Sequence, residues 1–468
     1  MVRSTIWGRT GSTRTRIVSP IGRVLGHVPT ASERRLGTMR RSALVAVRVV
    51  WWYRRELLAV AVPAALRYAA GFVLPPIAAW AVMLPVIAGL TVYQWRTHGV
   101  SRWLVAGSVR RRFDRACRQT WVYDLNDRTP WVRRVVATPV GYRLSIVLPP
   151  GLRRTLLQRH AGDVAAALKA QRLRILSDPH RADRASVTIV LRDPLTRPPP
   201  RSPLLQVNET SIWDPVPIGV SEDNTQITLQ LVGQSVLIGG AARSGTSATL
   251  FHIVAAAALD PRVVLWLLDP GGLALRFWRE RAYRYGVTID ETIDLVTSLT
   301  RIIDARTHGA VDPTGTVEAV HVVVRDDGGQ SRSSVTEAAR DRLQRAFDDV
   351  VMRGPTVRVV PLLAVRPADG PVPRGAAEQF TCRWALRCET AAQSDAILGH
   401  HWAGRGVSAT DVDAAAAGVG WLVHEAGAPV RLRSYQLTRP DLAALAARSV
   451  ALQREHSDGR KRALPALC

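Results

Sequence analysis

Lysine is almost absent: Lys169 and Lys461 are the only two in 468 residues. The 63 basic against 38 acidic residues, a formal net charge of +25, are therefore an arginine balance. Genomic base composition accounts for such scarcity, so a general preference for arginine over lysine carries no argument. Cysteine is also scarce. Cys117, Cys382, Cys388 and Cys468 follow no metal-ligand spacing and no paired framework. That excludes a zinc module and a disulfide scaffold and suits a reducing compartment. The adjacent His400 and His401 have no cysteine or second histidine pair near them and read as surface or packing residues. The excess of positive charge points to a polyanionic partner, either nucleic acid or an anionic membrane surface.

Length leaves room for two or three domains and a large core, and there is no internal repeat. Residues 1–56 hold twelve arginines against Glu33 and Glu56 and read as a basic flexible arm. A transit peptide, also rich in Arg and Ser, is the second reading. From 57 to 95 only Arg67 is charged, and Pro75-Pro76 divides the run into two stretches, each near the minimum for a bilayer span. Arg54 and Arg55 precede it; Arg96, Arg102 and Arg110 to Arg112 follow. Basic flanks on both sides satisfy the positive-inside rule only if the chain enters and returns. The expectation is a transmembrane helical hairpin at a cell membrane, with the N- and C-terminal parts cytoplasmic. Residues 96–119 form a basic juxtamembrane segment.

Residues 120–232 read as a small α/β module. Tyr142 to Leu148 alternates as a strand, a helix follows to about Leu173, and Ser186 to Leu191 is a second strand. Arg197 to Pro203 reads as a linker. A P-loop domain then spans 233–445, and 446–468 reads as a polar tail.

That domain is marked by Gly240-Ala-Ala-Arg243-Ser244-Gly245-Thr246-Ser247, the spacing of a phosphate-binding loop between a buried strand and a helix. Glycines let backbone N–H groups close around phosphate, and the helix N-terminus adds its positive end. Gly240, Arg243, Ser244, Gly245, Thr246 and Ser247 are the nucleotide-binding candidates. Ser247 keeps the hydroxyl for Mg²⁺, but Thr246 stands where lysine would place a charge on the outer phosphates. An ordinary strand-turn-helix is the competing reading of the loop alone. Downstream, Val263 to Leu268 is a continuous apolar strand ending in Asp269-Pro-Gly-Gly272. Ala319 to Val324 leads to Arg325-Asp326-Asp327, where an acid at a strand tip suits Mg²⁺. Asp326 and Asp327 are the catalytic candidates, Ser247 and Asp326 the metal ligands. Strands alternating with helices imply a parallel sheet.

Taken in order, these motifs resemble the FtsK/SpoIIIE-type DNA translocases, above all their short actinobacterial, conjugation-associated relatives. The likeness covers roughly residues 130–450. It adds Asp214-Pro-Val-Pro-Ile-Gly219, Arg366-Pro367, Arg383-Trp-Ala-Leu-Arg387, Ser394-Asp-Ala-Ile-Leu-Gly399 and Gly418-Val-Gly-Trp421. It implies a RecA-like P-loop domain, ATP and Mg²⁺ as cofactors, and a hexamer around double-stranded DNA with contacts to backbone rather than bases. It does not say which residues touch DNA. No winged-helix reader is recognised, so sequence-directed loading is not expected.

The departures all bear on one reaction. Thr246 replaces the P-loop lysine, and Gly271 the lysine of Asp-Pro-Lys. Asp327 replaces the glutamate that orients water, one methylene shorter. The glutamine before Arg366-Pro367 is missing. Arg243 is the one cation in the loop, and its place in the arc points it outward. The expected function is a membrane-tethered family member binding duplex DNA, with weakened ATP binding and impaired or absent hydrolysis, in a homo- or hetero-hexamer with a competent paralogue. The alternatives are an active translocase with an unusual P-loop and a membrane scaffold binding neither DNA nor nucleotide.

Overall fold

The computed structural model describes residues 99–463 apart from 179, 310–318, 328–335, 367–375 and 425–426, with Ala65 and Tyr68 as isolated helical positions. The expected arm and hairpin, those two positions excepted, lie outside the described residues. Among the described residues no helix is long and apolar enough to cross a membrane.

Two sheets organise residues 108–463. The smaller comprises β1 (Trp131–Thr138), β2 (Gly141–Val147), β3 (Arg172–Ser177) and β4 (Arg184–Val190), antiparallel in the order β1-β2-β4-β3. Leu144 and Ile146 of β2 and Val187 and Ile189 of β4 are buried on one face, while Arg143 and Ser145 are exposed. Helix α1 (Gly99–Gln119) covers the apolar face with Val109, Phe113, Ala116 and Cys117, all buried at helical spacing. The stretch expected as a basic juxtamembrane segment is thus in large part a core helix, its arginines lying between the positions of an apolar stripe.

The single helix expected to reach Leu173 is instead α2 (Arg154–Arg159) and α3 (Ala161–Ala167), broken at His160. The chain then turns at Lys169 with φ +54° and enters β3. Leu173 pairs with Ile189 across the sheet. Arginine alternates with Leu173 and Ile175 along β3, but Arg174 is buried as they are, and a bulge between Val132 and Arg134 breaks the alternation of β1.

The larger sheet has ten strands: β5 (Val216–Ser221), β6 (Gln226–Leu229), β7 (Val236–Gly239), β8 (Val263–Leu268), β9 (Arg284–Gly286), β10 (Val320–Asp326), β11 (Val359–Val365), β12 (Cys382–Leu386), β13 (Val419–His424) and β14 (Val430–Ser434). Their order is β6-β5-β14-β13-β12-β7-β11-β10-β8-β9. The pairings from β12 to β9 are parallel and those from β6 to β12 antiparallel. The sheet therefore begins at Val216, not at 233.

Alternate residues of the central strands feed two separate cores, as a sheet covered on both faces requires. Val236 and Ile238 pack with α4 (Thr246–Ala258), and Leu237 lies on the other side. There α5 (Ile289–Thr307), α6 (Glu337–Arg353) and α7 (Ala391–Leu398) bury Leu299, Phe347 and Ile397. Thr288 and Glu291 close a capping box at the start of α5. Helix α8 (Arg439–Ala463) returns to the α4 face with Leu442, Leu445 and Ala446. The segment expected as a polar tail is therefore largely the second half of this helix.

The expected linker is strapped down rather than loose. Arg433 donates from Nη1 to the carbonyl of Leu195 at 2.7 Å. Beside it, two buried guanidiniums meet two half-buried carboxylates. Arg431 Nη2 lies 2.6 Å from Asp193 Oδ2 and its Nη1 2.7 Å from Glu222 Oε1, while Arg174 pairs with Glu222 and lies 3.8 Å from Asp193. Burial acts to raise the Asp193 pKa, but the hydrogen bonds and charge of Arg431 outweigh it and hold the carboxyl below its ordinary range. A depressed carboxyl stabilises the fold above the ordinary carboxylate pKa and loses that contribution as acid protonates it. Asp193→Ala is expected to cost about 3 kcal/mol at neutral pH by stranding buried arginine charge. Urea unfolding checks this, and part of the stability lost by the parent chain below about pH 4 should disappear in the variant.

Candidate functional site

In a parallel sheet, ligands bind beyond the carboxyl ends of the strands. The phosphate-loop, Asp269, Asp326, Arg366 and Arg387 motifs fall on that edge. Gly240 directly follows β7, Asp269 follows β8, Asp326 ends β10, Arg366 follows β11 and Arg387 follows β12. β11 stands between the P-loop strand and the acidic strand β10, an order that fits a RecA-like P-loop fold.

Both motif glycines are demanded by close approach. A Cβ on Gly240 would stand 2.4 Å from Ser244 Oγ, because the loop folds back on its own start. Gly245 caps α4 with φ +101°, and a Cβ there would meet the backbone nitrogen of Gly418 at 2.6 Å. That neighbour is bonded in place: Gly418 N donates to Ser244 O at 2.8 Å and Ser434 N to Gly418 O at 2.9 Å. The other side of the loop is stitched to the end of β12. Ala241 N donates to Arg387 O at 2.7 Å, and Arg387 Nη2 to Ala242 O at 2.9 Å.

Arg243 sits at φ +62° on the tip of the turn closed by Ser244 N to Ala241 O, and it is exposed. It faces solvent, as its place in the arc suggested. Ser244 and Thr246 are buried with their hydroxyls 3.0 Å apart, so the side chain in the lysine position turns into the loop and brings no charge. Ser247 is half-buried in the first turn of α4, where amide groups have no intrahelical acceptor.

Asp326 ends β10 almost wholly buried, and the next backbone N–H, that of Asp327, donates to Ala364 O at 3.0 Å. The Asp327 carboxylate is clamped. Arg325 donates Nε to Oδ1 at 2.8 Å and holds Oδ2 at 2.8 Å through Nη2. The guanidinium is itself buried against the Phe347 ring, 5.1 Å from its centroid, and donates to Gln344 Oε1 at 3.1 Å. A bidentate charged pair is among the stronger side-chain contacts. Sequence reasoning passed over Arg325, although an arginine inside the apolar run Val320 to Val324 and its following acids was a signal that it serves a partner.

Asp269 does something different. Buried, it accepts from Leu275 N at 2.9 Å and Tyr285 Oη at 3.1 Å, which makes the Asp-Pro-Gly-Gly element a structural corner. Burial first, then the Asp269 charge, pushes the Tyr285 pKa up to about 12. Among the described residues no group of three His, Cys, Asp or Glu could hold a metal ion. Mg²⁺ on a nucleotide asks for less: a hydroxyl, one carboxylate, phosphate oxygens and water. Ser247 and Asp326 fit that donor set in type; the point charge for the phosphates is what the loop lacks.

No family model matches the chain, and neither does any curated protein. Similar solved structures exist. One is the pCW3 conjugation coupling protein TcpA in monomer form with ATPγS, at 12% identity and TM-score 0.48, covering 74% of this chain and 99% of that one. Another is the cytoplasmic domain of the Thermomonospora curvata type VII secretion ATPase EccC, at 20% identity and TM-score 0.39, covering 55% and 32%. A third is EssC (ATPases 2 and 3) from Geobacillus thermodenitrificans, at 14% and 0.44, covering 56% and 52%. The matched region is thus about a third of the EccC chain and half of the EssC chain. At such identities the likeness concerns backbone arrangement alone, and the site is read from this chain's own residues.

Two measurements check this geometry. Gly245→Ala, with no room at Gly418 and a left-handed φ, is expected to lower stability by roughly 2 kcal/mol, read as a lower Tm. His252, on α4, is buried with Nε2 2.6 Å from Pro217 O, and burial pushes its pKa down to about 4 against the effect of that bond. A folded pKa below the unfolded one near 6.5 means that the unfolded chain takes the proton first. Stability should therefore fall, by on the order of 3 kcal/mol, as pH drops from about 6.5 to about 4. His252→Gln should remove that limb from the pH dependence of urea unfolding.

Proposed function

We propose that this chain is a membrane-tethered protein of the FtsK/SpoIIIE-type translocase class that binds double-stranded DNA, holds nucleotide weakly and has lost hydrolysis. Its work is binding and assembly, in a homo- or hetero-hexamer beside a competent paralogue. The observation that carries the loss of hydrolysis is the Arg325 clamp on Asp327, taken with the uncharged Thr246.

Phosphoryl transfer needs positive charge on the transferred group and a carboxylate that accepts a proton from, or orients, the attacking water. Thr246 supplies no charge. Asp327 already engages both oxygens with Arg325, which fixes the carboxylate's orientation and competes with an attacking water for it. When bound, Mg²⁺ would offset part of the phosphate charge. In this chain Ser247 and Asp326 would hold it, the first-turn amides of α4 would bind phosphate oxygens, and Gly240 and Gly245 let the loop close. Losing a key electrostatic group in such a site costs several kcal/mol of transition-state stabilisation, a factor on the order of 10³ in rate. That is enough to stall a motor that must fire repeatedly. The exposed, outward Arg243 disfavours the reading in which it substitutes for lysine. The arginine excess supports DNA or anionic lipid as partner over a scaffold that binds neither.

DNA-stimulated ATP turnover of residues 99–468, a fragment that keeps α1, tests the reading. Turnover at or below background is expected, with weak ATPγS binding. Thr246→Lys should tighten nucleotide binding by roughly tenfold or more yet leave turnover at background, because Asp327 stays clamped. Turnover in the parent fragment would reject loss of hydrolysis. Absence of salt-dependent duplex binding would reject the DNA assignment.

A further inference from the structure

Three large exposed apolar side chains fall within eleven residues of the small module. The loop between α1 and β1, together with the first residue of β1, projects them: Trp121 is 73% exposed, Leu125 105% and Trp131 60%. The loop is built, not slack. Asp124, itself buried, accepts from the backbone N–H of Asn126 at 2.9 Å and of Arg128 at 2.7 Å, which turns Leu125 outward at the tip. Val122 N donates to Cys117 O at 2.8 Å, and Thr129 bonds to Asp114, so both limbs are tied to α1.

Around this tip the charge is one-sided. From Ser108 to Val147 there are nine arginines and three aspartates. Asp114 is held by Arg118 and Thr129, and Asp124 is consumed by the turn, which leaves Asp127 as the one exposed acid. Arg112, Arg115, Arg128, Arg133 and Arg134 are exposed. β1 is also the edge of its sheet farthest from β3, the strand through which Arg174 joins the large sheet's ion network. The strand that follows the tip therefore lies at the opposite edge of the small sheet from that junction.

The geometry points to this loop as a docking surface for an anionic lipid bilayer, with Leu125 and the two indoles entering the headgroup region and the arginines pairing with lipid phosphates. Nucleic acid is the rival polyanion, and the chemistry of the tip argues against it. A phosphate backbone offers a fully exposed leucine no apolar phase. A bilayer interface offers one, and it is where indole and guanidinium side chains gather. This inference rests on the membrane half of the proposed function but uses residues that half does not need.

The test uses the full-length chain with Asn126→Cys labelled by an environment-sensitive fluorophore. Cys117, Cys382 and Cys388 are buried, and Cys468→Ser removes the remaining thiol. The protein is placed in phosphatidylcholine vesicles with or without phosphatidylglycerol. The expected result is quenching of the label by nitroxide-bearing lipid, about threefold or more stronger with phosphatidylglycerol, and abolished by Leu125→Glu. A label reached by aqueous iodide alone in both vesicles overturns the proposal. So does shielding of the label by duplex DNA in the absence of lipid. Resistance of the bound chain to alkaline carbonate reports separately on membrane spanning: vesicles that release the chain but register the label reject the tether and keep the loop.

Discussion

Two buried arginines and the two half-buried carboxylates that hold them decide how the pieces of this chain meet. Arg174 comes from the small sheet, Asp193 from the strap that follows it, Glu222 from the turn between β5 and β6, and Arg431 from β14. Two positive and two negative groups balance, so none is left as an uncompensated charge in a dry place, where it would cost several kcal/mol. Apolar packing alone would tolerate some sliding of one sheet against the other. A network of directional ion pairs does not, because each misplacement strands a charge.

The consequence reaches the phosphate-loop frame through β14. Arg431 and Arg433 fix that strand against the small module, and Ser434 at its end holds the carbonyl of Gly418. Gly418 in turn bonds to Ser244 and lies against Gly245. The loop is therefore shaped from outside as well as by its own glycines. This explains how the frame persists without its lysine: its form depends on backbone contacts to Gly418 and Arg387, none of which requires bound phosphate.

Much of the P-loop half was legible because buried parallel strands announce themselves. Val263 to Leu268 is a strand in both readings, and the acidic tip at Asp326 lies where the apolar run ends. The small module was harder. β3 alternates arginine with leucine and isoleucine because one of its faces meets an ion network rather than water, which the one-residue rule of polar-outside cannot anticipate. α1 hid for a related reason. Six arginines are interspersed among its apolar residues, yet four positions spaced along one stripe suffice to bury it. In the site, the missing charge at Thr246 could be read from spacing alone. The role of Arg325 could not, since an arginine beside two aspartates pairs with either, with both or with solvent depending on where the strand sits.

What the sequence by itself determined is the order of the strands along the chain, the place of the phosphate-loop frame between a strand and a helix, and the absence of a lysine to charge it. Those follow from local rules: apolar runs, glycine spacing and side-chain type. Only the tertiary structure decided that Asp327 is clamped by Arg325, that Asp269 braces a corner, and that a basic segment is a core helix. Each of these depends on which groups become neighbours once water is excluded. That is set by residues distant in sequence, such as Phe347 beside Arg325 and Gly418 beside Gly245.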